Sequence, residues 1–191
     1  MSSVLVLHPW WGLNADIRAV CDRLVREGYV VLSPDLYDGK VATEIPAAEA
    51  LMRALDQDGV RAKLDAAVDE LRARGSKFAI LGWSMGGNYA WDFIGRRPSE
   101  ASALVAYYGI GEIDESKPVP PVLNHIGELD EDVPFLREIE EVLKGAGKDV
   151  TTHVYPAAKH WFDEPSRPEH DPAASALAWD RTLSFLRKHL G

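Results

Sequence analysis

The sequence is poor in several features that mark particular classes of protein. It contains one cysteine, Cys21, among 191 residues, so no disulfide can form within the chain. A lone thiol fits the reducing environment of the cytoplasm, and we expect a cytoplasmic protein. No apolar run approaches the length of a membrane helix, and residues 1–7 lack the basic segment of a signal peptide. We therefore expect neither a membrane partner nor a secretory leader.

Positive charge is scarce as well. The chain has 21 Lys and Arg against 30 Asp and Glu, which gives a formal net charge of −9 at pH 7. A protein that binds the phosphate backbone of nucleic acid needs a basic surface. Nucleic acid is therefore not an expected partner, and we attribute the acidity to solubility.

Six apolar runs, most of them nearly continuous, alternate with amphipathic segments along the chain. The predicted strands cover residues 4–7, 29–33, 78–81, 103–108, 122–126 and 150–155. The predicted helices cover residues 15–27, 58–74, 86–96, 133–145 and 173–189. Continuous apolar runs are typical of strands that are buried on both faces. The alternation predicts an α/β fold with one doubly wound sheet of about six mostly parallel strands.

The chain also lacks internal repeats, low-complexity tracts and any linker-like segment. Its length suits one domain, which we expect to span residues 1–191. The connection 109–120 is too short for a separate lid domain, so we expect an open or shallow site. Parallel sheets bind ligands beyond the carboxyl ends of their strands. The loops to consider are 8–14, 34–46, 82–87, 109–120, 127–132 and 156–172.

The segment Gly82-Trp83-Ser84-Met85-Gly86 follows a predicted strand and precedes a predicted helix. A Gly-x-Ser-x-Gly run in this context is typical of a sharp turn that exposes a nucleophilic serine. The alternative is a nucleotide-binding turn, but the segment has neither the G-x-G-x-x-G nor the Gly-Lys-Ser/Thr pattern. We predict that Ser84 is a nucleophile. The N–H of Met85, at the start of the helix, is then a donor to an oxyanion.

A serine nucleophile needs a histidine base. His160 follows the last predicted strand and precedes the last helix, which is where a sheet of this kind carries its base. His170 lies in the same loop and is a weaker alternative. His125 and His153 lie on predicted strands and His189 on the last predicted helix, so we expect all three to be structural.

The base in turn needs a carboxylate to orient it, and residues 127–132 offer four candidates. Asp130 is our choice. Asp132 directly precedes a predicted helix and is better explained as its N-cap. Glu128 and Glu131 are expected to be solvated.

The loop after the first strand reads His8-Pro9-Trp10-Trp11-Gly12. On a sheet of this type that loop supplies a second oxyanion donor. Pro9 has no N–H, so the N–H of Trp10 is the predicted donor. A rigid aromatic loop that only covers the end of the sheet is the alternative, and the two are compatible.

Together these segments resemble the dienelactone hydrolase family of the α/β-hydrolase fold, over nearly the whole chain. The resemblance rests on residues 8–14, 28–37, 82–87, 107–109, 125–130 and 155–162. It implies that Ser84, Asp130 and His160 occupy the positions of the family's catalytic triad. It also implies a serine esterase that cleaves a small carboxylic ester or lactone through an acyl-enzyme, with no cofactor and no metal.

The chain departs from the family pattern at three places. The namesake enzymes have a cysteine in place of Ser84 and a glutamate in place of Pro9. They also bind a substrate carboxylate with arginine just after the histidine, where this chain has Trp161, Phe162 and two acidic residues. We therefore expect a neutral ester or lactone, in a pocket formed by Trp11, Trp83 and Trp161.

Two further hypotheses remain open from the sequence. The chain is alternatively a non-catalytic, small-molecule-binding module on the same scaffold, since a fold does not fix a function. A metal site is the other alternative, although its candidate ligands match no helical spacing: His160, Asp163, Glu164, His170 and Asp171. Either a monomer or a homodimer is compatible with the sequence.

Overall fold

The computed structural model describes residues 2–74, 77–111 and 114–191. The strands are β1 (Ser3–Leu7), β2 (Val30–Leu32), β3 (Phe78–Trp83), β4 (Ala103–Tyr107), β5 (Val122–Gly127) and β6 (Val150–Tyr155). The helices are α1 (Ala15–Arg26), α2 (Ile45–Arg53), α3 (Gln57–Ala73), α4 (Met85–Arg96), α5 (Val133–Gly145) and α6 (Pro172–Leu190). Within these ranges, no helix combines the length and the apolar composition that crossing a bilayer requires.

The strands form one sheet in the order β2-β1-β3-β4-β5-β6, and every neighbouring pair is parallel. The α/β fold is confirmed, with a wholly parallel sheet. The sheet order reverses after β2, so β1 and β3 are neighbours at the centre. Their register pairs Leu7 with Gly82. The loops that follow β1 and β3 therefore begin side by side, which is where an open parallel sheet binds its ligand.

The sheet is covered by apolar side chains on both faces. Along β1, Val4 and Val6 face a cluster that includes residues of α1 and α6. Leu5 and Leu7 face a second cluster that includes residues of α3 and α4. All four side chains are fully buried. Two buried faces explain why β1 is continuously apolar in sequence, because neither side of the strand contacts water.

Helix α2 was not predicted and lies where the sequence was interpreted as a loop. It begins after Glu44, whose side chain makes no capping hydrogen bond, and it has a proline, Pro46, in its first turn. Ala48 is fully buried against a small cluster around Trp11. The signal is present in the sequence, because proline in a first turn followed by Ala, Glu and Leu favours a helix.

Side chains at the helix starts explain where several helices begin. The Asn14 side chain accepts from the Ile17 N–H at the start of α1. The Asp171 side chain accepts from two N–H groups at the start of α6. Asp132 occupies the predicted N-cap position of α5, but its side chain makes no capping hydrogen bond there. The position was right, but the predicted capping interaction is absent because the Asp132 backbone is helical rather than extended.

Candidate active site

Ser84 lies in the one-residue turn between β3 and α4. Its backbone has φ 49° and ψ −118°, a combination that non-glycine residues rarely adopt. Such torsions cost about 1–3 kcal/mol, so the surrounding structure must maintain them. The Ser84 N–H donates to the Tyr107 carbonyl at 2.9 Å, and the Ser84 carbonyl accepts from Asn88 at 3.0 Å. The turn therefore presents the hydroxyl at the carboxyl end of the sheet.

The two glycines of the motif are required by close backbone packing. A Cβ added at Gly82 would collide with the carbonyl oxygen of Gly86. A Cβ added at Gly86 would collide with the carbonyl oxygen of Leu7 on β1. The start of α4 therefore packs directly against two strands, which fixes the position of Ser84.

The three predicted triad side chains lie together in one hydrogen-bonded chain. Ser84 Oγ is 3.0 Å from His160 Nε2. His160 Nδ1 is 2.7 Å from Asp130 Oδ2. Because a carboxylate only accepts, Nδ1 carries the ring proton and Nε2 is free to accept the proton of the serine hydroxyl. The carboxylate is 1% exposed, whereas the imidazole is 30% exposed on the side of the pocket.

The loop after β5 holds the acid in place. The Asp130 N–H donates to the Gly127 carbonyl at 3.1 Å, and Oδ1 of Asp130 accepts from the Asp132 N–H at 3.1 Å. The Leu129 N–H donates to the Ala158 carbonyl at 2.9 Å. That last bond links the loop of Asp130 to the loop of His160, although the two residues are 30 positions apart in sequence.

The two predicted oxyanion donors follow two neighbouring strands, β1 and β3. Met85 is the first residue of α4, and an N–H in the first turn of a helix has no partner within that helix. Trp10 follows β1, the neighbour of β3. Among the described residues, neither N–H donates a hydrogen bond to the protein. Both residues line the pocket that contains Ser84.

A buried histidine supports the Trp10 loop. His8 Nε2 accepts from the Leu36 N–H at 3.0 Å, and Nδ1 donates to the Pro9 carbonyl at 2.7 Å. Burial lowers the pKa of His8, which keeps the ring neutral and able to make both bonds. Since Pro9 directly precedes Trp10, this ring fixes the backbone that carries the predicted donor.

Trp10 and Trp161 form an aromatic wall of the pocket. Their rings are 5.8 Å apart and nearly parallel, and both residues line the cavity beside Ser84. Trp161, which follows the histidine, has a positive φ of 66°. That torsion turns the chain so that two consecutive side chains, His160 and Trp161, both reach the pocket.

Two predicted pocket residues are not at the pocket, and these predictions were wrong. Trp83 is fully buried, stacks on Tyr107 at 4.7 Å and donates its indole N–H to Asp163 at 2.8 Å. Trp83 is the last residue of β3, and its side chain packs in the apolar cluster on one face of the sheet, because successive side chains of a strand alternate between the two faces. Trp11 is 1% exposed and packs edge-on against Trp161 at 5.2 Å. It supports the wall from behind.

Arg167 was missed by the sequence analysis. Its guanidinium lies 3.9 Å from the ring centroid of Trp11 and 5.4 Å from that of Trp161. It also donates to the Thr43 carbonyl at 3.0 Å, just before α2. This arginine therefore ties the α2 segment to the aromatic wall. No local spacing signals such a contact, because Thr43 and Arg167 are 124 positions apart.

The cavity at Ser84 has a volume of about 500 Å³. Beside the three predicted triad residues, the two predicted donors and Trp161, it is lined by Met52, Asn88, Leu129, Glu131 and Asp132. Burial, followed by the nearby Asp130 carboxylate, raises the pKa of Asp132. No lysine or arginine of the described chain lines this cavity. Its electrostatic character is therefore acidic.

Two buried carboxylates lie behind the histidine. Glu164 is 1% exposed and accepts from the Tyr108 hydroxyl at 3.0 Å, and the Tyr108 ring packs 4.8 Å from that of His160. Burial raises the pKa of Glu164 to about 8. Burial likewise raises the pKa of Asp163 to about 6. Neither side chain faces the cavity at Ser84.

The metal-site alternative is not supported by this geometry. Asp163 is directed to Trp83 and Ser175, and Glu164 to Tyr108. Across residues 2–74, 77–111 and 114–191, no three His, Cys, Asp or Glu side chains come together as a metal would require. The candidate metal ligands are close in sequence, but their side chains point in different directions.

The remaining histidines occupy structural positions. His125 is fully buried, with Nδ1 2.8 Å from the Tyr155 hydroxyl and Nε2 3.0 Å from the Thr182 hydroxyl. His153 lies on β6 and His189 on α6, as expected. His170, the weaker candidate for the base, does not line the cavity at Ser84.

Comparison with known proteins assigns the chain to a family. The model of the dienelactone hydrolase family matches residues 1–190. The chain is 32% identical to "Protein usf" of Aquifex pyrophilus, over 98% of this chain and 88% of that protein. It is 30% identical to a protein of Bradyrhizobium sp. described as a probable 2-oxo-3-(5-oxofuran-2-ylidene)propanoate lactonase, over 100% of this chain and 85% of that one.

A similarity to a solved structure agrees with this assignment. A crystal structure from Klebsiella pneumoniae, assigned to a dienelactone hydrolase, superposes with a TM-score of 0.82 at 25% identity. The match covers 98% of this chain and 87% of that one. The sequence motifs, the wholly parallel sheet and the match along the chain agree, and the chain belongs to the dienelactone hydrolase family of ester-bond hydrolases.

Proposed function

We propose that the protein is a serine hydrolase that cleaves small neutral carboxylic esters or lactones through a Ser84–His160–Asp130 triad. The observation that carries the proposal is the hydrogen-bonded chain from Ser84 Oγ to the buried carboxylate of Asp130. Its far end is water-excluded and its near end opens into a cavity. This is the arrangement that activates a serine hydroxyl in unrelated hydrolases.

The reaction begins with attack of Ser84 Oγ on the substrate carbonyl carbon, as His160 Nε2 accepts the hydroxyl proton. Asp130 keeps the proton on Nδ1 and stabilises the imidazolium that forms. The N–H groups of Trp10 and Met85 donate to the oxyanion of the tetrahedral intermediate. Collapse of the intermediate expels the alcohol, which takes the proton from Nε2, and leaves an acyl-serine. Water then attacks the acyl carbonyl carbon as the same nitrogen accepts its proton. The bond between the acyl carbon and Ser84 Oγ breaks, the proton passes from Nε2 to Oγ, and the acid leaves.

The charge of the cavity supports a neutral substrate. Glu131 and Asp132 line it and no described lysine or arginine does. A substrate carboxylate would meet like charges with no cation to bind it. The relative from Bradyrhizobium sp. is described as a probable lactonase of a propanoate, so its description supports a cyclic ester but not the absence of a substrate carboxylate.

Covalent labelling with a fluorophosphonate, followed by mass spectrometry of the adduct, tests this proposal. We expect one adduct, on Ser84, because only an activated serine reacts quickly. His160→Ala should abolish labelling and lower kcat for a short ester by about 10⁴-fold or more. His170→Ala, a histidine of the same loop that does not line the cavity, is the matched control and should behave as the parent protein.

Two results would contradict the proposal. One is full esterase activity in Ser84→Ala. The other is correctly folded protein that forms no adduct and hydrolyses no ester, which would favour the non-catalytic binding module.

A further inference from the structure

Two exposed apolar side chains lie at the cavity that contains Ser84. Leu129 is 61% exposed and Met52 is 36% exposed, and both line that cavity together with the Trp10 and Trp161 wall. Leu129 follows β5 and Met52 lies on α2, which follows β2. In the sheet order these strands lie on opposite sides of β3, which leads to Ser84. Apolar surface therefore approaches Ser84 from two directions.

The exposure of Leu129 is imposed by the backbone that positions the acid. The N–H groups of Glu128, Leu129 and Asp130 all donate to backbone carbonyls, at 2.9, 2.9 and 3.1 Å. A loop fixed at three consecutive residues cannot turn the Leu129 side chain inward without displacing Asp130. An apolar side chain held in this way beside a reactive serine remains available to a ligand.

The exposure of Met52 follows from the packing of α2. That helix buries Ala48, and Leu51 packs against the apolar clusters beneath it, so Met52 is left on the outer side. The contact of Arg167 with the Thr43 carbonyl secures the segment that leads into α2. Met52 is thus held over the cavity by a helix and an anchoring contact. Methionine also adapts readily to ligands of different shape.

We propose that Met52 and Leu129 bind the hydrocarbon part of the substrate, so that the protein prefers esters with an uncharged alkyl or aryl group of medium length over acetyl or methyl esters. This inference rests on the proposed function, because it concerns the same cavity. The carbonyl group lies at Ser84, and the hydrocarbon group extends from there along Trp10 and Trp161 to the two side chains. A negatively charged tail is disfavoured, because the carboxylates of Glu131 and Asp132 line the cavity.

Chain-length profiles of the parent protein and of two variants test this. Two ester series are used: p-nitrophenyl acetate, butyrate and octanoate, and methyl, butyl and octyl acetate. The parent protein should show a kcat/KM that rises with chain length in at least one series. Leu129→Asn and Met52→Gln should each reduce the long-to-short ratio by about 4- to 15-fold. That is the loss expected when one or two methylene groups, at about 0.8 kcal/mol each, lose their contact.

The matched control is Leu177→Asn. Leu177 is 46% exposed on α6 and does not line the cavity at Ser84, so its replacement should leave the ratio unchanged. Turnover of the shortest ester should stay within about two-fold of the parent in Leu177→Asn, whereas in Leu129→Asn and Met52→Gln it should fall by a smaller factor than turnover of the longest ester. A flat profile in both series, or equal losses for long and short esters, would overturn the inference.

Binding to Ser84→Ala separates this inference from the proposed function. Octanamide and acetamide serve as uncharged probes, and a change in the intrinsic tryptophan fluorescence, to which Trp10 and Trp161 at the cavity contribute, reports occupancy. Tighter binding of octanamide that is lost in Leu129→Asn supports the apolar site even if no ester is hydrolysed. Equal affinity for the two amides refutes it even if the Ser84 adduct forms.

Discussion

At the scale of single residues, three of the six non-glycine residues with a positive φ in the described chain lie at the candidate active site. Ser84, Tyr108 and Trp161 have φ values of 49°, 39° and 66°. Residues of this kind cost about 1–3 kcal/mol each. Ser84 carries the hydroxyl, Tyr108 packs against His160, and Trp161 forms the wall. These strained torsions lie where side chains must be directed to the site. The close backbone packing around Gly86 stabilises the strained turn at Ser84.

Arg167 provides a test at this scale. Arg167→Lys keeps the charge but removes the planar group that stacks on Trp11 and Trp161. A cation–π contact contributes about 0.5–2 kcal/mol, so the KM for a medium-length ester should rise by about 2- to 30-fold. The rate of Ser84 labelling by a small fluorophosphonate should stay within about two-fold. Steady-state kinetics and labelling rates measure the two effects.

Arg23 offers a matched control for that variant. Its guanidinium lies 4.0 Å from the ring centroid of Trp179, away from the cavity. Arg23→Lys therefore loses a similar contact and should leave the KM unchanged. If Arg167→Lys and Arg23→Lys have the same effect on the KM, Arg167 acts through general stability and not by positioning the wall.

At the scale of elements, the sheet register explains why residues distant in sequence meet. Leu7 pairs with Gly82, and Trp83 pairs with Tyr107. Tyr107 pairs with His125, and Gly127 with Tyr155. These pairs align the carboxyl ends of five strands. The loops that carry Trp10, Ser84, Asp130 and His160 consequently start at one edge of the sheet.

The loop between β5 and α5 carries the charge that should select against anions. Glu131 lines the cavity and is exposed. Glu131→Lys should increase the ratio of kcat/KM for p-nitrophenyl hydrogen succinate to that for p-nitrophenyl butyrate by about 2- to 5-fold, since a single exposed charge contributes up to about 1 kcal/mol. The increase should shrink at high salt because exposed charges are screened.

Glu141→Lys is the control for charge alone. Glu141 is exposed on α5 and does not line the cavity, and its replacement changes the net charge by the same amount. If both variants shift the ratio equally, the overall field of the protein decides the preference and the local charge of the cavity does not.

At the scale of the whole molecule, buried carboxylates should make the stability depend on pH. The pKa of Glu164 is raised by burial to about 8, from an ordinary value of 4.5. Between these values the folded state keeps a proton that the unfolded state releases. The free energy of unfolding therefore falls as the pH rises through this window, by up to about 1.4 kcal/mol per pH unit. Asp163 adds to the fall between 3.8 and about 6.

Glu164→Gln removes this dependence while it keeps an acceptor for the Tyr108 hydroxyl. Between pH 6 and 8, where Asp163 contributes little, the variant should lose less stability than the parent protein. The free energy of unfolding of the variant minus that of the parent protein should be about 1–3 kcal/mol larger at pH 8 than at pH 6. Urea denaturation at several pH values measures this, and Glu138→Gln, on the exposed side of α5, is the control. The same dependence of unfolding free energy on pH in the parent protein and in Glu164→Gln would contradict this prediction.

We propose that residues 1–191 unfold in one transition, because both apolar clusters share the central sheet.

The sequence by itself predicted the six strands and all the helices of the described chain except α2, and it proposed the candidate triad, in which the choice of Asp130 was supported by the family resemblance. Apolar runs predicted all six strands within two residues of their ends. Strands β1, β3 and β4 are buried at every residue, which leaves little room for polar side chains. The glycines around Ser84 marked the turn, because only glycine fits where α4 packs against β1 and β3. The order of Ser84, Asp130 and His160 followed from the chain order of this fold.

Only the tertiary structure decided which side chains face the cavity. Trp83 and Trp161 look equivalent in sequence, since each is adjacent to a residue of the candidate triad. The pleat of β3 directs Trp83 into the sheet face, whereas the positive φ of Trp161 turns its ring to the cavity. Arg167 likewise contacts Thr43, which is far away in the chain, and Met52 and Leu129 line one cavity from distant segments. Local sequence specifies backbone geometry, but such contacts arise only once the sheet has set the position of each loop.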